Sequence, residues 1–278
     1  MKIGMNLLLW STHITEDQFD LFKTLKDVGY DGVEVPLFEG EVAHYEKVGQ
    51  ALSDAGMGAS CVTVATPDAD PRKGDQAAID HIKWALDCTK ACGGDVLCGP
   101  YHQPLGEFTG EPPTDAEREA AATVHRAAAD YAQSVGVKMA MEYLNRFECY
   151  MFNTIADAAA HVKRVNHPAF GTMYDTFHAN IEEKDGPAGI RAAGDAIIHF
   201  HVSANDRGTP GKAHIDYLSA FKALKDINYD GWMTIEAFGR ALPDLAAATK
   251  VWRDFFPNKE EVYTEGLKLI KETWAAAG

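Results

Sequence analysis

Apolar residues in this chain gather in short, nearly continuous runs, and between the runs they recur at the spacing of an amphipathic helix. Continuous apolar runs are typical of strands in a parallel sheet, because both faces of such a sheet are covered. Eight runs are therefore predicted as strands: Ile3 to Leu9, Gly32 to Leu37, Ala59 to Ala65, Asp95 to Cys98, Val137 to Tyr143, Phe170 to Asp175, Ile197 to Ser203 and Trp232 to Ala237.

Strands and helices that alternate in this way form either a closed barrel or an open doubly wound sheet. Eight strands, with no G-x-G-x-x-G segment after the first, favour the α/β fold of a (β/α)8 TIM barrel. Such barrels commonly reach about 250 residues as one unit, so we expect residues 1–278 to form a single domain. The tail Asn258 to Gly278 is predicted as an outer helix, and the Gly- and Pro-rich segment Pro100 to Thr114 as a loop over the mouth.

Two local signals mark where helices begin and end. Thr15, with Gln18 three residues later, predicts a capping box at the start of the first helix, and Gly29 predicts its end. The segment LKDVGYDG at Leu25 to Gly32 returns as LKDINYDG at Leu224 to Gly231. We expect each copy to end a helix and to lead into a strand.

Charge and composition exclude several classes of function. The formal net charge of −15 disfavours a nucleic-acid partner, which would require a basic surface, and suits a small neutral or cationic substrate. No apolar run approaches the roughly 20 residues that span a bilayer, so we expect no membrane partner. The N-terminus reads as a strand rather than a signal peptide, and the five cysteines suit reduced thiols, which together indicate a cytoplasmic protein.

Four side chains that can bind metal stand at the carboxyl ends of predicted strands: Glu142, Asp175, His201 and Glu236. They lie 33, 26 and 35 residues apart, which matches successive strand and helix units. Reactive residues of barrel enzymes lie at these strand ends. Three carboxylates and one imidazole form a hard, oxygen-rich set that suits Mn²⁺, Mg²⁺ or Co²⁺ better than zinc.

Two of these residues can also act on a substrate. Glu142 on the fifth strand and Glu236 on the eighth would approach from opposite sides of the mouth. A bound ion can hold adjacent carbonyl and hydroxyl oxygens and stabilise an enediolate, while a carboxylate removes the neighbouring proton. If one glutamate removes the proton and the other returns it to the opposite face, the carbon centre is inverted.

Further polar residues surround this set, and each has a structural alternative. His178 follows Asp175 by three residues and could cap a helix, Arg207 could lie at the surface, and Glu148 could be a solvated loop acid. Glu34 at the end of the second strand could orient a ligand or pair within the mouth, and we favour pairing. His199 and His201 are taken to alternate along one strand, so only one can face the interior. We expect that one to be His201, which lies nearer the strand's end, with His199 packed against the helices.

The segments MEYLNRFE, YDTFHANIEE, HFHVSANDRGTPG and NYDGWMTIEAF resemble the ketose 3-epimerases, the D-tagatose and D-psicose 3-epimerases of the xylose isomerase-like barrels. The resemblance covers most of the chain. It implies one divalent metal ion, Mn²⁺ first, as the cofactor and a free sugar as the substrate, and it implies a homodimer or homotetramer. It also implies roles for seven residues: metal ligands Glu142, Asp175, His201 and Glu236, catalytic Glu142 and Glu236, and substrate contacts Glu148, His178 and Arg207.

The chain also departs from this family and leaves other functions open. Asn6, Leu7 and Leu8 stand where many epimerases have aromatic residues, the loop PYHQPLGEFTG lacks a tryptophan, and Ala204 replaces a frequent glutamate. The rival functions are an isomerase resembling hydroxypyruvate isomerase, a dehydratase acting on a keto-cyclitol, a DNA-cutting barrel resembling endonuclease IV and a non-catalytic metal scaffold. The residue pattern favours the epimerase, acting at C3 of a ketose such as D-tagatose, D-psicose, D-fructose or ribulose.

Overall fold

The computed structural model describes all residues, Met1–Gly278, and its strands form a closed barrel of eight parallel strands in sequence order. The predicted TIM barrel is therefore confirmed. The strands are β1 Lys2–Asn6, β2 Gly32–Pro36, β3 Gly58–Val62, β4 Gly94–Gly99, β5 Lys138–Met141, β6 Phe170–Asp175, β7 Ile197–Ser203 and β8 Trp232–Glu236.

Ten helices surround the barrel or lie near its mouth, and the last is the predicted outer helix. They are α1 Asp20–Val28, α2 Val42–Asp54, α3 Gln76–Ala91, α4 Asp115–Val135, α5 Ile155–Val165, α6 Thr176–Glu182, α7 Gly186–Ala193, α8 Tyr217–Asp226, α9 Pro243–Ala248 and α10 Lys259–Ala276. No helix is long and apolar enough to cross a membrane.

The first strand is shorter than predicted. β1 ends at Asn6, and Leu7–Leu9 form a short 3₁₀ turn. The reason is local, because the side-chain oxygen of Asn6 accepts a hydrogen bond from the Leu8 N–H at 2.8 Å and turns the chain at once. This turn brings Leu8 to the mouth of the barrel.

The predicted end of the first helix and the repeated turn into a strand are confirmed. The predicted capping box is present but precedes α1, because the backbone N–H of Thr15 donates to Gln18 Oε1 at 2.9 Å and caps the 3₁₀ turn Glu16–Gln18, which leads into α1 at Asp20. α1 ends at Gly29, whose φ is 115°, and Asn228 occupies the matching position after α8 with a φ of 55°. Glycine and asparagine are the residues that adopt this left-handed conformation most readily. The two related segments thus make the same turn into β2 and β8.

The amino end of the barrel is closed by one aromatic side chain. Trp232 of β8 is buried and reaches across the interior, where its Nε1 donates to Asp95 Oδ1 of β4 at 2.8 Å. Its ring packs so closely on Gly32 that a Cβ added there would lie 2.4 Å from the ring and 2.4 Å from the carbonyl oxygen of Gly58. Glycine is required at Gly32 by this close approach.

The carboxyl end of the barrel is partly covered by the predicted loop. Residues Tyr101 to Thr114, between β4 and α4, form no helix or strand. The Gly106 N–H donates to the carbonyl of Glu148 at 2.9 Å, which ties this loop to the segment after β5. Leu105 from the loop lines the cavity beneath it.

All five cysteines are buried and free.

Candidate active site

The four candidate metal ligands come together at the carboxyl end of the barrel. Asp175 and Glu236 are the last residues of β6 and β8, His201 lies within β7, and Glu142 follows the last residue of β5. One ligand atom from each lies within 4.8 Å of the others, and all four side chains are buried. The strand register produces this, because Asp175 pairs with His201, and Ser203 pairs with Glu236.

Asp175 is oriented by the helix that follows it. Its Oδ1 accepts the Phe177 N–H at 2.6 Å and caps α6, while its Oδ2 accepts from Ser203 Oγ and Arg207 Nη1, both at 3.1 Å. Burial alone would raise the pKa of Asp175, but the Arg207 guanidinium and His201 hold that pKa well below its usual value. Asp175 therefore remains an anion throughout the neutral range.

His201 presents one nitrogen to the three carboxylates. Its Nδ1 lies 3.5 Å from Glu236 Oε1 and 3.6 Å from Asp175 Oδ2, and no hydrogen-bond partner satisfies it. Its Nε2 lies 2.8 Å from Glu34 Oε1. Burial lowers the pKa of His201, but Glu34 and Glu236 outweigh burial and raise it well above its usual value. Without an ion the ring is therefore favoured in its protonated, positively charged form, and an ion at Nδ1 would take the place of that proton.

The prediction that His199 packs against the helices is wrong. His199 Nε2 lies 2.8 Å from Glu34 Oε2 inside the barrel, although this contact is poorly directed for a hydrogen bond, and the His199 and His201 rings are 5.2 Å apart. The physical reason is the period of a strand, since residues i and i+2 point to the same face. Glu34 pairs with both histidines, as the favoured alternative proposed.

Arg207 neutralises part of the carboxylate charge. Its Nη1 lies 2.7 Å from Glu236 Oε2 and also contacts Asp175, and its guanidinium lies over the Phe177 ring at 3.7 Å. The backbone of Arg207 has a φ of 66°, an unfavourable conformation for a residue with a long side chain. The surrounding contacts stabilise this conformation, because the Arg207 N–H donates to Ala204 and its carbonyl accepts from Phe238.

His178 and Glu148 complete the predicted set. The Asn145 N–H donates to His178 Nδ1 at 3.0 Å, and His178 Nε2 lies 3.0 Å from Arg207 Nη2 and 3.5 Å from Glu142 Oε1. Burial and the nearby Arg207 lower the pKa of His178 to about 3, which keeps the ring neutral. Glu148 Oε1 accepts from Asn145 Nδ2 at 2.8 Å. The structure thus brings all seven sequence-predicted residues together.

A cavity of about 90 Å³ opens above these residues, and its lining combines two kinds of side chain. The charged and polar lining residues include Glu142, Glu148, His178, Arg207 and Glu236. Most of the others are apolar, among them Leu8, Phe38, Val62, Val64, Leu105, Leu144, Phe238 and Leu245. A small ligand would therefore place its reacting polar atoms against the carboxylates and its remainder against apolar groups.

The residues fit a divalent ion. Three buried carboxylates, Glu142, Asp175 and Glu236, share the site with one guanidinium, that of Arg207. Burial, and then the neighbouring Glu236 carboxylate, raises the pKa of Glu142 well above its usual value. Together with the unsatisfied His201 Nδ1, this favours a bound cation. Zinc sites with thiolate ligands have no counterpart among these four residues.

Sequence reasoning missed two residues that organise this site. Asn6 donates to both Glu34 and Glu236, and Asn145 contacts both His178 and Glu148. In the sequence, Asn6 stands out only as a departure from an aromatic position. Its polar side chain within the otherwise apolar run Ile3 to Leu9 was the available signal.

The comparisons with known proteins agree with this geometry. The family described as Xylose isomerase-like TIM barrel matches residues 22–273. A probable ketose 3-epimerase from Synechocystis sp. is 30% identical and covers 99% of this chain and 97% of its own length. An L-ribulose 3-epimerase from Methylomonas sp. is 31% identical and covers 88% of each chain.

A solved structure gives the same result for the fold. The D-allulose 3-epimerase from Methylomonas sp. in complex with D-allulose superposes with a TM-score of 0.91 at 27% identity, over 98% of this chain and 97% of that one. Fold, site geometry and sequence similarity thus lead to one conclusion. The chain belongs to the ketose 3-epimerase family of the xylose isomerase-like TIM barrels and is an enzyme of the isomerase class.

Proposed function

We propose that this enzyme inverts C3 of a free ketose in a metal-dependent reaction, by removal and return of a proton through a planar enediolate. The observation that carries the proposal is the pair of buried glutamates, Glu142 and Glu236, which approach one point from β5 and β8 and share it with Asp175 and His201. Two carboxylates on either side of one carbon are what inversion requires, because the proton leaves one face and returns to the other.

The two glutamates act as base and acid in turn. One carboxylate accepts the C3 proton from the face towards it, and the other, in its protonated form, donates a proton to the opposite face. The raised pKa of Glu142 suits a carboxyl group that holds a proton more readily than an exposed glutamate does. Each such positioned group is typically worth about 10² to 10⁴ in rate.

Glu142, Asp175, His201 and Glu236 would hold the ion, with Mn²⁺ first and Mg²⁺ or Co²⁺ as alternatives. When bound, the ion would polarise the carbonyl and stabilise the developing negative charge. To bind an ion, His201 would have to carry no proton on Nδ1. No protein group forms a hydrogen bond with this nitrogen, so its lone pair would be available.

Glu148, His178 and Arg207 would hold the hydroxyls and the carbonyl at the C1 to C3 end of the sugar. His178 lines the cavity with its Nε2 3.5 Å from Glu142 Oε1 and 3.0 Å from Arg207 Nη2, where the ring can contact a substrate oxygen. Arg207 offers a guanidinium that is fixed between Phe177 and Glu236. Glu148 supplies an acceptor whose direction is set by Asn145.

The apolar residues that line the cavity limit the kind of substrate it can hold. Leu8, Phe38 and Val62 offer no cation for a phosphate, so an unphosphorylated sugar fits better. Similar proteins are named for L-ribulose, D-psicose and D-allulose. We therefore expect activity on D-psicose, D-tagatose, D-fructose or ribulose, where the end of the sugar away from C1 rests on apolar side chains.

A panel of ketoses in D₂O, followed by NMR, tests the proposal. The expected result is deuterium at C3 with inversion, activity lost on chelation, and activity restored by Mn²⁺. Label confined to C1 would instead support the rival isomerase, in which one base moves a proton between adjacent carbons. Full activity after exhaustive chelation would contradict the metal requirement.

We also expect a cytoplasmic homodimer or homotetramer. Phe147 and Phe108, in the segments after β5 and β4, have 72% and 49% of their surface exposed, and this apolar surface would suit a contact with a second copy of the chain. The buried free cysteines suit a reducing compartment. Light scattering after size-exclusion chromatography measures the assembly, and a monomer at micromolar concentration would contradict it.

A further inference from the structure

A further buried carboxylate, Glu34, contacts the proposed metal ligand His201 but is not itself one of the four. It belongs to β2, is fully buried and lines no part of the mouth cavity. A buried charge without partners is costly, so its contacts define what it does. Each of its two oxygens has a distinct set of neighbours.

The first oxygen, Oε1, faces the metal ligand His201. It lies 2.8 Å from His201 Nε2 and accepts from Asn6 Nδ2 at 2.9 Å. A carboxylate surrounded by donors can only accept, so His201 carries its proton on Nε2. In the neutral ring that an ion would bind, the lone pair is then on Nδ1, the nitrogen that faces Asp175 and Glu236 without a partner.

Asn6 extends this contact to a second ligand. Its Nδ2 donates to Glu34 Oε1 and also to Glu236 Oε1, at 3.2 Å. The side-chain oxygen of Asn6 is held by the Leu8 N–H, so the amide cannot exchange its nitrogen and oxygen without losing a bond. Glu34 therefore touches one proposed ligand directly and another through one residue.

The second oxygen, Oε2, anchors the carboxylate itself. It accepts from Ser60 Oγ at 2.9 Å and from Cys98 Sγ at 3.1 Å, and His199 lies 2.8 Å away. Glu34, Cys98, His199 and His201 could in principle hold an ion of their own. Both oxygens of Glu34 already contact hydrogen-bond donors. We therefore interpret these four residues as a hydrogen-bonded network rather than as a second metal site.

We propose that Glu34 is a positioning residue, which fixes the tautomer of His201 and, through Asn6, the orientation of Glu236. The inference rests on the proposed metal site. It predicts that Glu34 controls how tightly the ion binds, because partners of this kind typically contribute about 10- to 100-fold in metal affinity.

The first test is Glu34→Gln, with Mn²⁺ affinity of the metal-depleted protein measured by calorimetry or electron paramagnetic resonance. Glutamine offers one acceptor oxygen and turns an NH₂ group towards donors, so Mn²⁺ affinity should fall about 10- to 100-fold. Glu182→Gln is the matched control, because Glu182 is also buried, pairs with Arg146 and contacts no proposed ligand. Its Mn²⁺ affinity should stay within about twofold of the wild type.

The second test needs no variant to fold. Wild-type protein with ¹⁵N-labelled histidine and bound Cd²⁺, which is diamagnetic, should show His201 bound to the ion through Nδ1 with a slowly exchanging proton on Nε2. Binding through Nε2, or two Cd²⁺ ions per chain at equal affinity, would overturn the inference, as would unchanged Mn²⁺ affinity in Glu34→Gln. Wild-type protein that binds no divalent ion would refute the proposed function itself.

Discussion

The two ends of the barrel are both buried, yet they are built on opposite principles. At the carboxyl end, Glu142, Asp175 and Glu236 crowd around one histidine nitrogen that has no partner. At the amino end, Trp232 fills the interior against glycines, and its one polar atom is satisfied by Asp95. The first arrangement concentrates like charge, and the second removes apolar surface from water.

This difference separates activity from stability within one fold. Like charges held together in a buried site cost stability, and a protein retains them where they act on a ligand. A buried indole in close contact with backbone contributes stability and no chemistry. Substitutions at the mouth should therefore change turnover and metal binding, whereas substitutions at the bottom should change the free energy of unfolding.

The largest effect is expected from Glu236→Gln. The amide keeps the size of the side chain but can neither accept nor return a proton, so turnover should fall by about 10² to 10⁴ or more. The measurement is epimerisation of a ketose with saturating Mn²⁺, together with the midpoint of thermal unfolding, which should not fall. Near-normal turnover would rule out Glu236 as a base. It would also contradict the assignment of activity to the carboxyl end of the barrel.

Gly32→Ala should produce the opposite pattern. The added Cβ would meet the Trp232 ring and the Gly58 carbonyl at 2.4 Å, so the free energy of unfolding should fall by about 1 to 3 kcal/mol. Turnover per folded molecule should remain close to that of the wild type. Urea unfolding measures the first quantity and initial rates the second.

Gly136→Ala serves as the control for that substitution. Nothing lies within 4 Å of an added Cβ at Gly136, so only the cost of its φ of 78° remains, about 1 kcal/mol. Equal losses for the two variants would show that close packing on Trp232 does not stabilise the amino end. A loss of turnover in Gly32→Ala would show that the two ends are coupled.

A pH-dependent effect is expected for Glu142→Gln in the metal-free protein. Because the folded pKa of Glu142 is raised, the folded state holds a proton that the unfolded state releases above about 4.5. The stability that this group contributes is present at low pH and is lost as pH rises through the folded pKa. The variant lacks this loss, so its stability relative to wild type should increase with pH, by at most about 1.4 kcal/mol per pH unit.

Urea unfolding of both metal-free proteins between pH 5 and pH 8 measures this difference. A constant difference across that range would contradict the raised pKa. Gly32→Ala, at the other end of the barrel, should differ from wild type by the same amount at every pH, since no titratable group is altered.

The smallest effect is expected from Asp95→Ala. It removes the acceptor for Trp232 Nε1 and an ion pair with Lys2, and both contacts lie at the edge of the barrel. An unsatisfied donor that water can partly reach should cost about 1 kcal/mol. Urea unfolding checks the value, and turnover and Mn²⁺ affinity should not change.

Much of the fold and of the site could be read from local pattern. The apolar runs located all eight strands, although β1 is shorter than predicted because Asn6 turns the chain. Glu142, Asp175, His201 and Glu236 could be grouped because parallel strands in a barrel end at the same rim. Sequence similarity then added the substrate contacts Glu148, His178 and Arg207, which no periodic pattern would have selected.

Other features depended on contacts across the barrel. Glu34 and His201 are 167 residues apart, and their 2.8 Å contact follows from closure of the sheet and its stagger, which no local pattern encodes. The position of Arg207 was decided in the same way, by its contacts with Ala204, Phe238 and Glu236. The sequence by itself determined which residues reach the rim, because strand period and helix length are local properties. Only the tertiary structure decided which nitrogen of His201 faces the carboxylates, because that depends on a partner from a distant strand.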